Sequence, residues 1–340
     1  MITLFWNCRG LALAMAKRTL RTLIRDIGPD VIFLSKTKIP IRKCSRFLMS
    51  LAFYNLDSVD PRGKKGGLVV GWKNRVDIEI TYKCCNMING LIFLDPLNEP
   101  WLITFVYGPP NCNNRGPFWE SVEKVGEVFG GGWLCIGDFN HVFSQADKKW
   151  GKPVASSSSG GMNDVIDKNG LIDIKFSGNP YTWSNGREGL ANIKERLDRA
   201  FANERWRSIF PRVVVLNLPS SNSDHSPIVL FTEGEQQSVK RPFKFEEVWT
   251  RDETSWFAVE KAWKAIIQGS SLFKVCQKLK EAKKKKKKKK KKFKIWNKEW
   301  FGNIQQNIKK FWENLRIIQG EDPSQENLSK EANINMELQE

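Results

Sequence analysis

The feature that most narrows the possible folds is the rhythm of the first two-thirds of the chain. Short apolar runs follow one another, each closed by a cluster of Gly, Pro, Asn or Asp. Runs of about four to eight residues bounded by turn formers read as strands, because a helix needs a longer stretch with a 3.6-residue period. Such runs fall at 2–7, 31–34, 67–72, 76–83, 90–95, 101–106, 133–137, 181–184, 213–216 and 227–231. Helical periodicity falls near 16–27, 117–128, 160–168 and 199–207. A doubly wound parallel sheet needs a helix after nearly every strand, and this order does not supply them. The pattern fits an α/β class in which two packed mixed sheets are flanked by helices, a four-layer α/β/β/α sandwich.

Composition shifts near Thr232. Glu233-Gly234-Glu235-Gln236-Gln237-Ser238 reads as a linker, and the chain beyond it is expected to be a helical tail. The expected organisation is one domain over 1–232, then a linker and helical connector over 233–340. Trp249, Trp256 and Trp263 recur every seven residues and so share one helix face, where packing is a better reading than base stacking. Residues 272–318 continue as a helical stretch interrupted by ten consecutive lysines at 283–292. Such a run is solvated by self-repulsion; it could grip phosphates, serve nuclear import, or be an expansion with no role.

That run supplies ten charges of the net +18, yet residues 1–232 are basic by themselves, at +9. A basic balance favours a polyanionic partner, since phosphate contacts release counterions, although many basic proteins bind no nucleic acid. The seven cysteines are scattered and none forms the CxxC spacing of a zinc site, so reduced thiols are expected. No apolar run approaches the ~18 residues of a membrane span, and the N-terminus opens on a strand rather than a charged leader. A soluble chain, nuclear or cytoplasmic and not secreted, is expected.

The informative polar residues stand at the strand ends and in the loops that follow them. Trp6-Asn7-Cys8-Arg9-Gly10, Leu34-Ser35-Lys36-Thr37-Lys38, Tyr107-Gly108-Pro109-Pro110, Gly137-Asp138-Phe139-Asn140, Arg196-Leu197-Asp198-Arg199 and Ser223-Asp224-His225-Ser226-Pro227 make up the set. Singly, an Asp or Asn at a strand end is most often a turn residue. Together they match one chemical problem. Phosphodiester hydrolysis needs an activated water, a cation on the phosphate oxygens and relief for the leaving oxygen. His225, with an ordinary pKa near ~6.5, is a candidate base, and Asp198 a candidate carboxylate to orient it; a capping role for His225 is an equal reading of the residue alone. Asp138 and Asp224 offer hard oxygen ligands of the kind Mg²⁺ takes. Asn7, Asn140 and Tyr107 can bond phosphate oxygens without adding repulsive charge.

In order and spacing, WNCRG, YGPP, GDFN, YTWS, RLDR and SDHSP resemble the endonuclease/exonuclease/phosphatase superfamily, and more narrowly the apurinic-type endonuclease domains of plant LINE (non-LTR) retrotransposons. The resemblance covers roughly 1–232. Two further segments, Arg241-Pro242-Phe243-Lys244-Phe245 and Trp296-Asn297-Lys298-Glu299-Trp300, resemble the connector that precedes a reverse transcriptase in such elements. No Asp-Asp pair occurs, so a chain truncated before the polymerase is expected. The resemblance implies a Mg²⁺-dependent (or Mn²⁺-dependent) endonuclease that nicks duplex DNA, with element RNA a second candidate partner. It implies that His225 deprotonates the attacking water while Asp198 holds its ring, and that Asn7, Asn140 and Tyr107 position the phosphate. Asp138 would orient the nucleophile or assist the leaving group, and Asp224 would serve the metal site. Thr182, Ser223 and Arg9 would contact DNA or support the pocket.

One position departs from the family. Where the family carries its metal-binding glutamate, usually as Glu-Thr-Lys, this chain reads Lys36-Thr37-Lys38. An ammonium has no lone pair for a metal, and two unit charges ~4 Å apart repel by about 4 kcal/mol at an effective dielectric near 20. The substitution implies a metal site weakened by orders of magnitude. Three consequences stay open: an inactive copy that retains nucleic-acid binding, weak cleavage assisted by Lys36 itself, or a metal held by another carboxylate such as Asp224. A phosphatase for lipid or inositol headgroups is a further, less favoured outcome on the same fold.

Overall fold

The computed structural model describes residues 1–63, 65–93, 99–154, 161–234 and 304–338. The tryptophan stripe, the lysine run and both connector segments lie outside them. The chain divides into two compact units: residues 1–235 with 312–340, and residues 236–311.

The first half of the larger unit contributes β1 (Ile2–Asn7), α1 (Ala14–Ile27), β2 (Val31–Ser35), α2 (Ile41–Ser50), β3 (Asn55–Val59) and β4 (Leu68–Trp72). There follow β5 (Asp77–Lys83), β6 (Met87–Phe93), β7 (Trp101–Tyr107), α3 (Arg115–Val128) and β8 (Trp133–Asp138). The second half is built of shorter pieces: β9 (Lys148–Lys149), α4 (Met162–Lys168), β10 (Ile172–Asp173), β11 (Phe176–Gly178), β12 (Trp183–Ser184) and β13 (Lys194–Glu195). Then come β14 (Asp198–Ala202), α5 (Glu204–Ile209), β15 (Val214–Asn217) and β16 (Ile228–Phe231). Two helices, α6 (Ile304–Gly320) and α7 (Gln325–Glu337), close the described chain.

The strands form a seven-stranded sheet in the order β11-β15-β16-β1-β2-β4-β3 and a six-stranded sheet in the order β10-β14-β8-β7-β6-β5; β12, β13 and β9 make a small third one. Both large sheets are mixed: β1 runs parallel to β2 and antiparallel to β16, and β7 runs parallel to β8, which is antiparallel to β14. Side-chain alternation assigns each strand residue to a layer. On β1, Phe5 faces the core between the sheets with Phe33, Phe105 and Ile136, whereas Leu4 and Trp6 face outward onto Leu20 and Leu23 of α1 and Cys44 and Leu48 of α2. On the far side, Phe118, Trp119 and Val122 of α3 and Met162 and Val165 of α4 cover the second sheet. The layers are therefore helix, sheet, sheet, helix, as expected from the run pattern.

The register decides where function can sit. Asn7 pairs with Ser35, Tyr107 with Asp138, and Asp138 in turn with Asp198. Strand ends bearing polar side chains are thereby gathered at one rim of the sandwich. One element departs from its sequence pattern. The helix expected over 199–207 is split into strand β14 and the short helix α5, because pairing with β8 overrides the helical propensity of Arg199-Ala200-Phe201-Ala202. Asn203 marks the change of state: its side chain accepts from Trp206 N and caps α5. The helix α2 and the strand β3 had no counterpart among the expected elements. Among the described residues, no helix is long and apolar enough to cross a membrane.

Candidate active site

At the rim, His225 is 1% exposed and its Nδ1 lies 3.0 Å from Asp198 Oδ2. With Nδ1–H donating to the carboxylate, Nε2 is the free nitrogen, 3.8 Å from Asp138 Oδ2. Asp198 is held from behind. Its backbone N–H and that of Leu197 both donate to Thr182 Oγ1, at 2.9 and 3.0 Å, and Thr182 N donates to Glu195 O. The flanking arginines anchor the strand: Arg196 makes two 2.8 Å bonds to Asp173, and Arg199 reaches Asp173 and Asp147. Asp138 accepts from Asn7 Nδ2 at 2.8 Å on one oxygen and from Asn140 N at 2.8 Å on the other. Asn140 Nδ2 donates to Gly108 O, so each of the two amides keeps one further N–H. Ser223 donates to Asn7 O and accepts from His225 N, which ties the histidine loop to the end of β1.

The charges of the pair follow from this geometry. Burial alone pushes His225 down, but the carboxylates of Asp198, Asp138 and Asp224 outweigh it and the ring is raised above its ordinary value. Burial raises Asp198, opposed by His225 and reinforced by Asp138. Tyr107 is also raised, by burial and then by Asp138, with Arg9 opposing. It therefore stays a neutral phenol.

Beside this cluster lies an open cavity of about 470 Å³ reached by His225, Asn140, Asp224, Arg9, Lys36 and Arg115. Arg9, Lys36 and Asn140 all adopt positive φ (46°, 52° and 48°) just past the ends of β1, β2 and β8. Such left-handed turns are costly for non-glycine residues and cluster at functional rims. Lys36 Nζ stands 5.4 Å from the centre of the Tyr107 ring. Asp224 is not part of the His225–Asp198–Asp138 cluster. One of its oxygens is bonded by Arg9 and by Trp183 Nε1.

Two residues absent from the sequence reading also line the cavity. Arg115 donates to Asn140 O at 2.8 Å and lies 3.2 Å from His141 Nδ1. His141 is pushed down to about 4 by burial and then by Arg115 and Arg199. Its place directly after Gly137-Asp138-Phe139-Asn140, as the first of only two histidines in the chain, was the available signal.

Asp138, Asp198 and His225 offer ligand atoms within 4.8 Å of one another, so this group could hold a metal ion. Asn7 Oδ1 and Asp198 Oδ1 are buried without a partner, which suits a hard cation that takes oxygen ligands. The donors fit a divalent cation; Lys36, in the adjoining cavity, opposes one.

A histidine–aspartate pair and a carboxylate held between two amides thus stand together at one rim of two packed sheets. The chain belongs to the Endonuclease/Exonuclease/phosphatase family, whose match spans residues 4–225. Among solved structures it is similar to the AP endonuclease LMAP from Leishmania major (TM-score 0.54, 16% identity, 67% of this chain and 86% of that one). It is also similar to the endonuclease domain of TRAS1, a telomere-specific non-LTR retrotransposon (0.51, 15%, 69% and 99%). A third likeness is to the 3'-5' exonuclease NExo from Neisseria meningitidis (0.51, 16%, 68% and 99%). These identities speak for the fold. No curated protein sequence matches the chain.

Proposed function

We propose that the chain carries the nuclease domain of a plant LINE-type element over 1–232, followed by the connector segment of such an element. Its chemistry is Mg²⁺-dependent nicking of duplex DNA, impaired by Lys36. The observation that carries the reading is the buried His225–Asp198 pair, with Asp138 beside it, where His225 reaches a cavity also lined by Arg9, Lys36 and Arg115. His225 Nε2 takes a proton from the attacking water, and Asp198 holds the ring and offsets the imidazolium charge. Asp138, fixed by Asn7 and Asn140, orients the water or relays a proton to the leaving oxygen. The remaining N–H groups of Asn7 and Asn140, with the Tyr107 hydroxyl, bond phosphate oxygens. Thr182 and Ser223 support this frame, while Arg9 and Asp224 shape its mouth. A divalent cation, held by Asp138 with the Asn7 amide oxygen, would supply Lewis-acid stabilisation of phosphate charge. Both the AP endonuclease and the retrotransposon nuclease among the similar folds support a DNA substrate. The basic surface suits a nuclear or cytoplasmic protein working on nucleic acid.

The second reading is a non-catalytic nucleic-acid-binding protein, favoured by Lys36 itself: a fixed cation in the cavity neutralises phosphate without activating water. Element RNA would serve it as well as DNA. Relaxation of supercoiled plasmid by the full chain in Mg²⁺ or Mn²⁺, beside His225→Ala, tests the proposal. Nicking that disappears in His225→Ala supports it. Nicking that His225→Ala leaves unchanged, or hydrolysis of a phosphoinositide in place of DNA, overturns it.

A further inference from the structure

Within residues 1–232, positive charge is concentrated in one stretch. Residues 1–50 hold ten lysines and arginines against two aspartates. Seven of the ten, Lys17, Arg18, Arg21, Arg25, Arg42, Lys43 and Arg46, stand on α1 and α2, the two helices that cover the outer face of the seven-stranded sheet. The apolar stripes of these helices are turned to the sheet, which leaves the cations at the surface. The two sets form one patch: Lys17 Nζ and Arg21 Cζ of α1 lie 5.6 and 5.4 Å from the ring of Phe47 on α2. The acidic groups at its edge are Asp26, bonded by Arg25, and Asp60, which accepts from Ile41 N. Among the described residues, no carboxylate pairs with Lys17, Arg21, Arg42, Lys43 or Arg46.

Three of these cations gain nothing from the dipoles of their helices. Neither α1 nor α2 has an acidic residue in its first turn, and neither N-cap, Leu13 or Pro40, makes a side-chain cap. Lys17, Arg42 and Lys43 thus sit towards the helix ends where the macrodipole disfavours positive charge. The patch is also continuous with the candidate active site. The turns leading from β1 and β2 into the two helices carry Arg9, Lys36 and Lys38 and are joined by Leu11 N donating to Thr37 O at 2.9 Å. Asn222, beside Ser223, donates to Thr19 of α1 at 2.9 Å.

We propose that the α1–α2 face is a second nucleic-acid surface, which holds the phosphate backbone of duplex DNA flanking the cleft. With 14 residues, α1 extends about 21 Å, the rise of about six base pairs. Lys17 and Arg21 along that length, with Arg42, Lys43 and Arg46 of α2 beside them, complement a phosphate strand without reading bases. The surface is independent of catalysis, and its failure is distinguishable from that of the nuclease reading.

The test is the salt dependence of duplex binding by the full chain in EDTA, read by fluorescence anisotropy. One variant carries Lys17→Gln, Arg21→Gln, Arg42→Gln and Lys43→Gln. Its control loses the same net charge elsewhere through Lys124→Gln, Lys175→Gln, Arg205→Gln and Arg207→Gln, all exposed positions. Both keep the lysine run at 283–292. The expected result is a log K against log salt slope lower by about 3 and affinity at least about 10-fold weaker in the first variant, with less than about a 2-fold change in the control. Equal losses in both, or none in either, overturn the proposal. So does a first variant that keeps duplex affinity but loses binding to phosphatidylserine vesicles. Arg42→Gln with Lys43→Gln, which disturbs no contact among the described residues, gives the same readout at about half the amplitude if the fourfold variant does not fold.

Discussion

At the residue scale, the account rests on how burial and neighbours set the protons of a few side chains. His225 acts as a base only when neutral, and its partners raise its affinity for a proton. Nicking is therefore expected to rise with pH along an acid limb lying above ~6.5, the ordinary histidine value; a pH–rate profile whose limb lies below that value would contradict the assignment. His141 has the opposite sign. Its pKa is lowered to about 4 in the fold, so protonation favours the unfolded chain. Stability should fall as pH drops from ~6.5 towards 4, and urea unfolding should show a shallower fall in His141→Gln. Candidate site residues were legible one by one, since Asn7, Asp138, Asn140, Asp198 and His225 all stand beside strand ends. What could not be read was their partnership. That Asp224 faces Arg9 and Trp183 rather than the His225 cluster depends on contacts between segments up to 215 residues apart.

At the element scale, the strands of the first half other than β3 were legible because their apolar runs are long and sharply bounded. The two-residue strands of the second half carry no periodicity to detect. Strand β14 was misread because propensity favours helix where pairing with β8 imposes an extended chain. That pairing matters to the site, for it sets Asp198 opposite Asp138. Tight register needs room as well as hydrogen bonds. Gly137 on β8 has φ +154°, and an added Cβ would lie 1.9 Å from Val106 O. Gly137→Ala is expected to cost more than about 2 kcal/mol in denaturant unfolding, with loss of DNA cleavage; near-wild-type stability would show that the register is not as described. The five described cysteines whose side chains are placed, Cys8, Cys44, Cys84, Cys85 and Cys135, form no disulfide with one another.

At the scale of the whole molecule, the C-terminal helices show what composition cannot. Residues 312–340 belong to the same compact unit as the nuclease-like sheets. Leu315 is fully buried, and the buried Lys194 donates to Gln319 O at 2.6 Å and Glu321 O at 3.1 Å. Gln319 in turn bonds Ser220 through both ends of its amide. Its loss leaves buried groups unpaired, and Gln319→Ala is expected to destabilise the full chain by about 1–3 kcal/mol in urea unfolding. An unchanged midpoint would mean that this docking contributes nothing. Lys194 pairs on β13 opposite Ser184, next to the Trp183 that bonds Asp224, so the tail bears on the rim of the site. The proposed hydrolytic site is complete except at Lys36, whose ammonium stands where a metal-binding carboxylate is expected. The most direct measurement is plasmid nicking in Mg²⁺ by the full chain, by Lys36→Glu, and by Lys36→Glu combined with His225→Ala. The account predicts faster nicking in Lys36→Glu, lost by about 100- to 10,000-fold when His225 is also removed. A folded Lys36→Glu protein that nicks no better than the natural chain would contradict it.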